Sequence, residues 1–299
     1  MGYTAQFGNG WSGTISAEAP RGTQIDNINS VSGGSIVSGN PVAFPGAYGG
    51  FEAPDIVMNF RLDQAWGSAQ VMGALHQVNA TYFLTTPASG HPEDKLGFVI
   101  GGGLKLNTPM IEPGDYLQAQ INYTQGALRY IFQAPNMNRG KVDGNSAGFA
   151  ALTDAVHGGT LAGTGATSAT SLELTTAWNI NAAYEHFWNP QWRTSLYGGY
   201  AAVSNSDRAN SLLCIHSTAV VASGCDMDWS TWWLGSRTQW NVTKDFYLGL
   251  DVMYAKLFSA DFGGGTALTP AVNGFTNSLP KSDVDNWQFR FRVHRDFYP

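Results

Sequence analysis

The amino-acid sequence predicts an all-β chain, an antiparallel β-barrel whose strands cross a membrane. Three observations carry that reading. Apolar and polar residues alternate with a period of two in about eleven segments. The connections between those segments are short and long in strict alternation. Aromatic residues gather beside the short connections.

Composition sets the frame. A chain of 299 residues is long enough for one large all-β unit, so residues 1–299 are read as a single domain. Charged residues make up 13%, about half the usual share, while Gly numbers 36 and aromatics reach 13%. Mean hydropathy is −0.16. Many aromatics, few charges and neutral hydropathy fit strands with one apolar face and one face of amides and hydroxyls. No stretch approaches the ~18 consecutive apolar residues of a membrane helix, a rule that leaves barrel strands untouched. The net charge is −6, and Lys and Arg form no basic run, so nucleic acid is not an expected partner.

The segments follow in order. Residues 3–7 and 11–18 form a hairpin around Gly8-Asn9-Gly10, because Asn-Gly readily takes positive φ. Residues 56–64 put Met58, Phe60 and Leu62 opposite Asn59, Arg61 and Asp63. Residues 70–82 return, with Val71, Gly73 and Leu75 opposite Gln70 and His76 and a register that blurs towards the end. Residues 96–106 set Leu96, Phe98, Ile100 and Leu104 against small residues and Lys105. Residues 117–124 alternate most clearly: Leu117, Ala119, Ile121, Tyr123 against Gln118, Gln120, Asn122, Thr124. Residues 174–188 and 192–203 flank the turn Asn189-Pro190-Gln191, with Glu185, Arg193 and Ser195 on the polar face. Residues 229–240 and 246–254 set Trp232, Leu234, Leu248 and Leu250 against Arg237, Gln239 and Asp251. The last segment, 285–297, puts Trp287, Phe289, Phe291 and Val293 on one face and Gln288, Arg290, Arg292 and His294 on the other.

Most segments approach the ~9–11 residues that a tilted strand needs to cross a bilayer. The short connections are 8–10, 66–68, 107–115, 189–191 and 241–244; every other one is long. A barrel inserted from one side has short periplasmic turns and long external loops. Trp11, Trp66, Tyr116, Trp188, Trp192, Trp240 and Phe246 stand beside the short turns, as an interfacial aromatic girdle would. An odd number of strands cannot have both chain ends on one side, and two edges would also lie open, where each unpaired backbone group costs several kcal/mol at membrane depth. The start, Met1-Gly2-Tyr3, has no basic stretch followed by an apolar one and so no signal peptide. The expectation is therefore a barrel lacking strands at its front.

Particular stretches resemble a known family. They are Tyr3-Thr-Ala-Gln-Phe-Gly-Asn-Gly10, Ala53-Pro-Asp-Ile-Val57, Leu62-Asp-Gln-Ala-Trp-Gly67, Gly90-His-Pro and the terminal Trp287-Gln-Phe-Arg-Phe-Arg-Val-His-Arg-Asp-Phe-Tyr-Pro299. Together they are similar to the alphaproteobacterial porins of the rhizobial type. The resemblance implies a sixteen-stranded, trimeric outer-membrane barrel for passive diffusion of small hydrophilic solutes and ions. It also implies that about five strands and a signal peptide precede the eleven present here.

No catalytic constellation is legible, and neither an enzyme activity, a cofactor nor a metal is expected. The histidines are scattered, and Gly101-Gly-Gly103 is not followed by a helix, so it reads as space in a strand rather than a phosphate loop. The residues that would set the field of a pore are those whose parity faces water: Arg61, Asp63, Lys105, Arg193, Arg237, Asp251, Arg290 and Arg292, with Glu185 among them. Arg290 and Arg292 are the foremost candidates for a basic row. The membrane-interface aromatics are Trp11, Trp66, Trp188, Trp192, Trp240 and Phe246. Cys214 and Cys225 are candidates for a loop disulfide. The expected surroundings are outer-membrane lipid, solutes and ions, and two further copies of the chain. The competing reading is a soluble or surface β-sheet module that binds glycans through local aromatic clusters.

Overall fold

The structure is a computed structural model that describes residues 1–20, 23–27, 47–83, 87–132, 139–143, 146–158, 170–215, 225–262 and 282–297. Eleven strands form one sheet: β1 (Gly2–Gly8), β2 (Trp11–Glu18), β3 (Asp55–Gln64), β4 (Gly67–Val78), β5 (Lys95–Asn107), β6 (Tyr116–Gln125), β7 (Thr176–Phe187), β8 (Trp192–Ser204), β9 (Trp229–Thr243), β10 (Phe246–Phe258) and β11 (Val284–Arg295). Each pairs antiparallel with its sequence neighbour, so the barrel wall is an unbroken meander. The edges are β1 and β11.

The turns have local causes. Asn9 and Gly10 have φ of 52° and 83°, which suits a two-residue turn that continues the right-handed strand twist. A Cβ on Gly10 would overlap the Asp63 carbonyl oxygen of β3, so glycine is required there for space as well. Asn189 Oδ1 accepts the backbone N–H groups of Gln191 and Trp192, which closes the β7–β8 turn. The longer turn between β5 and β6 is held by buried Asp115. It accepts hydrogen bonds from the Tyr184 hydroxyl (2.5 Å) and the Phe187 N–H (2.8 Å), and His186 Nδ1 lies 2.7 Å away.

The long connections are not plain coil. The one between β8 and β9 contains the helix α1 (Asp207–Ile215). The one between β6 and β7 contains residues Ala155–His157, which pair parallel with Ile25–Asn27 and antiparallel with Glu173–Leu174. A hairpin joins Arg139–Asp143 to Ser146–Ala150, and Cys225–Asp226 pairs with Asp261–Phe262. These pieces fold over the inward face of the strands at their long-loop end. Their core joins Leu128, Phe132, Phe149, Leu152, Leu213 and Met227 to strand residues Ala177, Ala201, Val203 and Trp229. This loop cap is the part of the architecture that strand alternation does not announce.

The predicted ends of two strands shift accordingly. β4 stops at Val78 rather than residue 82, and β10 continues to Phe258 rather than 254. Near the cap both faces of a strand touch apolar surroundings, so the polar half of the alternation disappears.

Candidate functional site

The two faces of the sheet differ as the alternation requires. On one face Ile100, Ile121, Leu250, Phe289 and Phe291 are between 53 and 72% exposed. Such a continuous exposed apolar face in an eleven-stranded sheet would be a severe aggregation liability in water and is the expected surface in lipid.

Aromatics border that face at both ends. On the long-loop side the in-register pairs Tyr123–Trp178, Tyr200–Trp232 and Tyr254–Trp287 step across six strands. Each pair lies two residues nearer the short turns than the one before, as strands tilted against a membrane plane would require. Ring centroids of Trp178 and Tyr200 are 5.2 Å apart, and those of Tyr254 and Trp287 5.0 Å. On the short-turn side Trp192 stacks on Trp240 at 5.4 Å, Trp11 stacks on Phe60 at 4.9 Å, and Trp66 and Trp188 are exposed. Phe246, partly buried, shares the parity of Leu248 and Leu250. From Trp178 to Trp188 the chain rises about 33 Å at roughly 3.3 Å per residue. A tilt of about 45° brings that close to the ~25 Å apolar band of an outer-membrane barrel. The aromatics thus form two lines rather than local clusters. Tyr116 is a correction: it lies on the polar face, where the Lys105 ammonium sits 4.2 Å from its ring centre. Its neighbour Leu117 takes the lipid side.

The opposite face carries the charges, and the register aligns them. Glu185, Ser195, Arg237, Asp251 and Arg290 stand side by side on five successive strands. Glu185 is the hub. Its side chain is 6% exposed, takes a short hydrogen bond from the Ser195 hydroxyl, and lies 3.3 Å from Arg193 and 3.6 Å from Arg237. Asp251 accepts a 2.6 Å hydrogen bond from the Tyr197 hydroxyl. One row nearer the turns, Arg292 donates to the Tyr247 hydroxyl at 3.4 Å. Among the described residues Arg290 forms no ion pair within 4 Å, and Asp251 stands beside it in the register. Arg61 and Asp63, on the far side of the sheet, pair with each other at 2.7 Å. Sequence parity therefore placed all eight candidates on one face. The structure brings Arg237, Asp251, Arg290 and Arg292 around one small recess, while Arg193 joins Arg237 at Glu185.

Under the cap lies a second polar group that alternation missed. Asp55 Oδ1 is 2.7 Å from His76 Nδ1, and Tyr130 donates to its other oxygen at 2.7 Å. His76 Nε2 is 3.3 Å from the Thr23 hydroxyl. The order hydroxyl–imidazole–carboxylate is that of a nucleophile relay, but His76 and Asp55 are each 1% exposed. The group ties two loops to two strands. Nearby Asp154 accepts the backbone N–H groups of Gln24 and Leu128. Burial pushes Asp154 up to about 6 and Asp26 up to about 7, and it pushes His157 down to about 4.

Among the described residues no group of three or more His, Cys, Asp or Glu could hold a metal ion, and no helix is long and apolar enough to cross a membrane. Cys225 is disulfide-bonded; the side chain of Cys214 lies outside the described residues.

The sequence profile of a porin subfamily matches residues 1–284. The chain belongs to that porin subfamily. A search of curated proteins gives no match. Among solved structures the porin is similar to the outer membrane channel DcaP of Acinetobacter baumannii, with a TM-score of 0.52 and 14% identity. The match covers 97% of this porin and 61% of that channel, so the porin spans less than two thirds of its length. The likeness is one of fold: an antiparallel outer-membrane barrel wall. As a porin the chain is placed in the outer membrane, with its exposed apolar face against lipid and its long loops outside.

Proposed function

We propose that the chain forms the wall of a general-diffusion porin, of the rhizobial type that its motifs resemble. It passes small hydrophilic solutes and ions down their gradients and performs no catalysis. The observation that carries this is the division of the sheet: an apolar face bordered by two aromatic lines, backed by a face on which Glu185, Arg237, Asp251 and Arg290 align. Opposed basic and acidic groups on a water-filled wall orient solutes and weight ion selectivity. Arg193, Arg237, Arg290 and Arg292 supply the basic side; Glu185 and Asp251 moderate it. Arg61, Asp63 and Lys105 line the wall at a distance from that cluster.

The open edges β1 and β11 need partner strands at membrane depth, since unpaired backbone groups there cost several kcal/mol each. Five further strands, completing a sixteen-stranded barrel, would meet that need, and association into a homotrimer would cover part of the apolar face. The disulfide of Cys225 is assigned to Cys214, the other cysteine of the sequence, which would fasten α1 to the cap.

Planar-bilayer recordings test the proposal. The barrel carrying all sixteen strands should conduct, and reversing Arg290 and Arg292 to Glu should move the reversal potential towards cations. A folded barrel that does not conduct would overturn the porin reading. An unchanged reversal potential would remove the two arginines from the pore wall.

A further inference from the structure

Part of the polar wall carries little net charge, and it has a different chemistry from the arginine cluster. Between β3 and β9 a cavity of about 410 Å³ opens on the inward face. Its floor is made of side-chain amides. Gln70, Gln118, Gln120 and Asn181 all line it, and strand register aligns Gln70, Gly103, Gln120 and Asn181 in one lateral row.

The amides have unused hydrogen-bonding groups. Gln70 accepts from Asn59 through its oxygen, so its two N–H groups remain. Gln120 donates to Asn122, so its oxygen remains. Gln118 and Asn181 have no hydrogen-bond partner among the described residues. The cavity thus presents donors and acceptors side by side, as side-chain amides can.

Two aromatic rings bound the cavity at its β8–β9 end. Tyr197 stands opposite Gly235 and Trp233 opposite Gly199. A Cβ on either glycine would lie 2.5 Å from the facing ring, so each ring lies low against the wall. The rings are partly exposed towards the lumen. Two cations also line the cavity: Arg61 is paired with Asp63 at 2.7 Å, and the Lys105 ammonium lies over the Tyr116 ring, 4.2 Å from its centre.

We infer that this amide-and-aromatic cavity is a weak binding subsite for neutral polyhydroxylated solutes, the saccharide class, on their way through the pore. A vicinal diol both donates and accepts, and adjacent amides can satisfy both functions at once. The apolar C–H face of a sugar ring packs on a flat aromatic face. A small organic anion would meet a single unpaired cation here, Lys105, whereas the arginines gather in the other cluster. As a permeation subsite the inference rests on the porin reading.

The test uses the full chain folded in detergent and, separately, reconstituted in bilayers, with maltotriose as the probe and glutamate as the charged control. Saturation-transfer NMR should show maltotriose bound to the folded chain with millimolar affinity. Trp233→Ala, and separately Gln118→Leu with Gln120→Leu, should each weaken it about tenfold. The leucine pair replaces wall amides without touching the buried core, so it serves if the tryptophan variant folds poorly. Arg290→Glu should leave maltotriose binding unchanged. Absence of binding, equal binding by the variants, or glutamate binding more tightly at the same residues would each overturn the inference. Conductance without maltotriose binding would defeat the subsite and leave the porin standing. Binding without conductance in the sixteen-stranded barrel would defeat the porin reading, and with it the permeation role.

Discussion

The inward face has two halves built on the same strands. Near the short turns it is charged and open, with Glu185, Arg237, Asp251 and Arg290 side by side. Near the long loops the same parity carries Ala177, Ala201, Val203 and Trp229, all buried under the cap. One strand such as β9 therefore runs from Trp229 in a protein core to Arg237 at water, while its other face keeps to lipid throughout. Parity decides which face a side chain takes. Depth along the strand decides whether that face meets protein or solvent.

The largest expected effect separates the halves by damaging one. Trp229 is 4% exposed, packs on Phe132 at 5.4 Å, and donates its indole N–H to the Ala151 carbonyl at 2.7 Å. Trp229→Ala removes that packing and orphans the carbonyl, a loss of about 3–5 kcal/mol. The loss should fall on the cap alone. Limited proteolysis should cut within 146–158 much faster, while the wall keeps its strand circular dichroism. Equal loss from cap and wall would show that the halves unfold as one unit.

The cap should also respond to pH where the wall does not. The neutral forms of Asp26 and Asp154 are favoured by burial. Their contribution to cap stability is complete below about 3.8 and is lost as pH rises through about 6 to 7. His157 acts in the other direction: its contribution is present above 6.5 and is lost as pH falls through about 4. Amide exchange corrected for intrinsic rates should show the cap opening more easily at pH 8 than at pH 5. Asp26→Asn, which cannot ionise, should flatten that dependence. If the slope persists in the variant, Asp26 is not its source. Asp154→Ala should weaken the cap by about 2 kcal/mol or more, because one buried and one partly buried N–H group lose their acceptor.

How legible each half was follows from the same division. In the charged half the strand faces were readable, Tyr116 excepted, because an apolar residue in lipid alternates with a polar one in water. Gln118, Gln120 and Asn122 against Leu117, Ala119 and Ile121 is the clearest case. In the capped half the alternation vanishes. β4 ends in Ala74, His76 and Val78 on the inward face and Leu75 and Gln77 on the outward one, so polar and apolar residues no longer separate by face, and its end was misjudged by four residues. Tyr130 was the hidden member of the Asp55–His76–Tyr130 group: Asp55 and His76 face each other across the β3–β4 hairpin, but Tyr130 reaches Asp55 from the β6–β7 connection, 75 residues away. Neither periodicity nor a spacing rule reports that loop contact. Helix α1 gave a weak signal, being nine residues long and placed among loop residues.

Within the charged half, Glu185→Gln should change function more than stability. The amide can still take the Ser195 hydroxyl bond, so the fold should lose only about 1–3 kcal/mol. Arg193 and Arg237 would stand uncompensated, and the reversal potential should move towards anions, opposite to Arg290→Glu. A shift towards cations would mean that Glu185 does not share the lumen with them.

The smallest effect is expected at the far side of the wall. Arg61 and Asp63 pair at 2.7 Å, but their side chains are 42% and 54% exposed. Such pairs contribute about 0–1 kcal/mol, less in salt. The double change Arg61→Gln with Asp63→Asn keeps the net charge and should leave both stability and reversal potential unchanged. Arg61→Gln alone frees a carboxylate beside the amide cavity, and it should move selectivity slightly towards cations. That shift should fade as ionic strength rises, because screening over about 8 Å at physiological salt removes the reach of an exposed charge. A salt-independent shift of the same size would place Asp63 in a narrower and drier part of the pore than its exposure indicates.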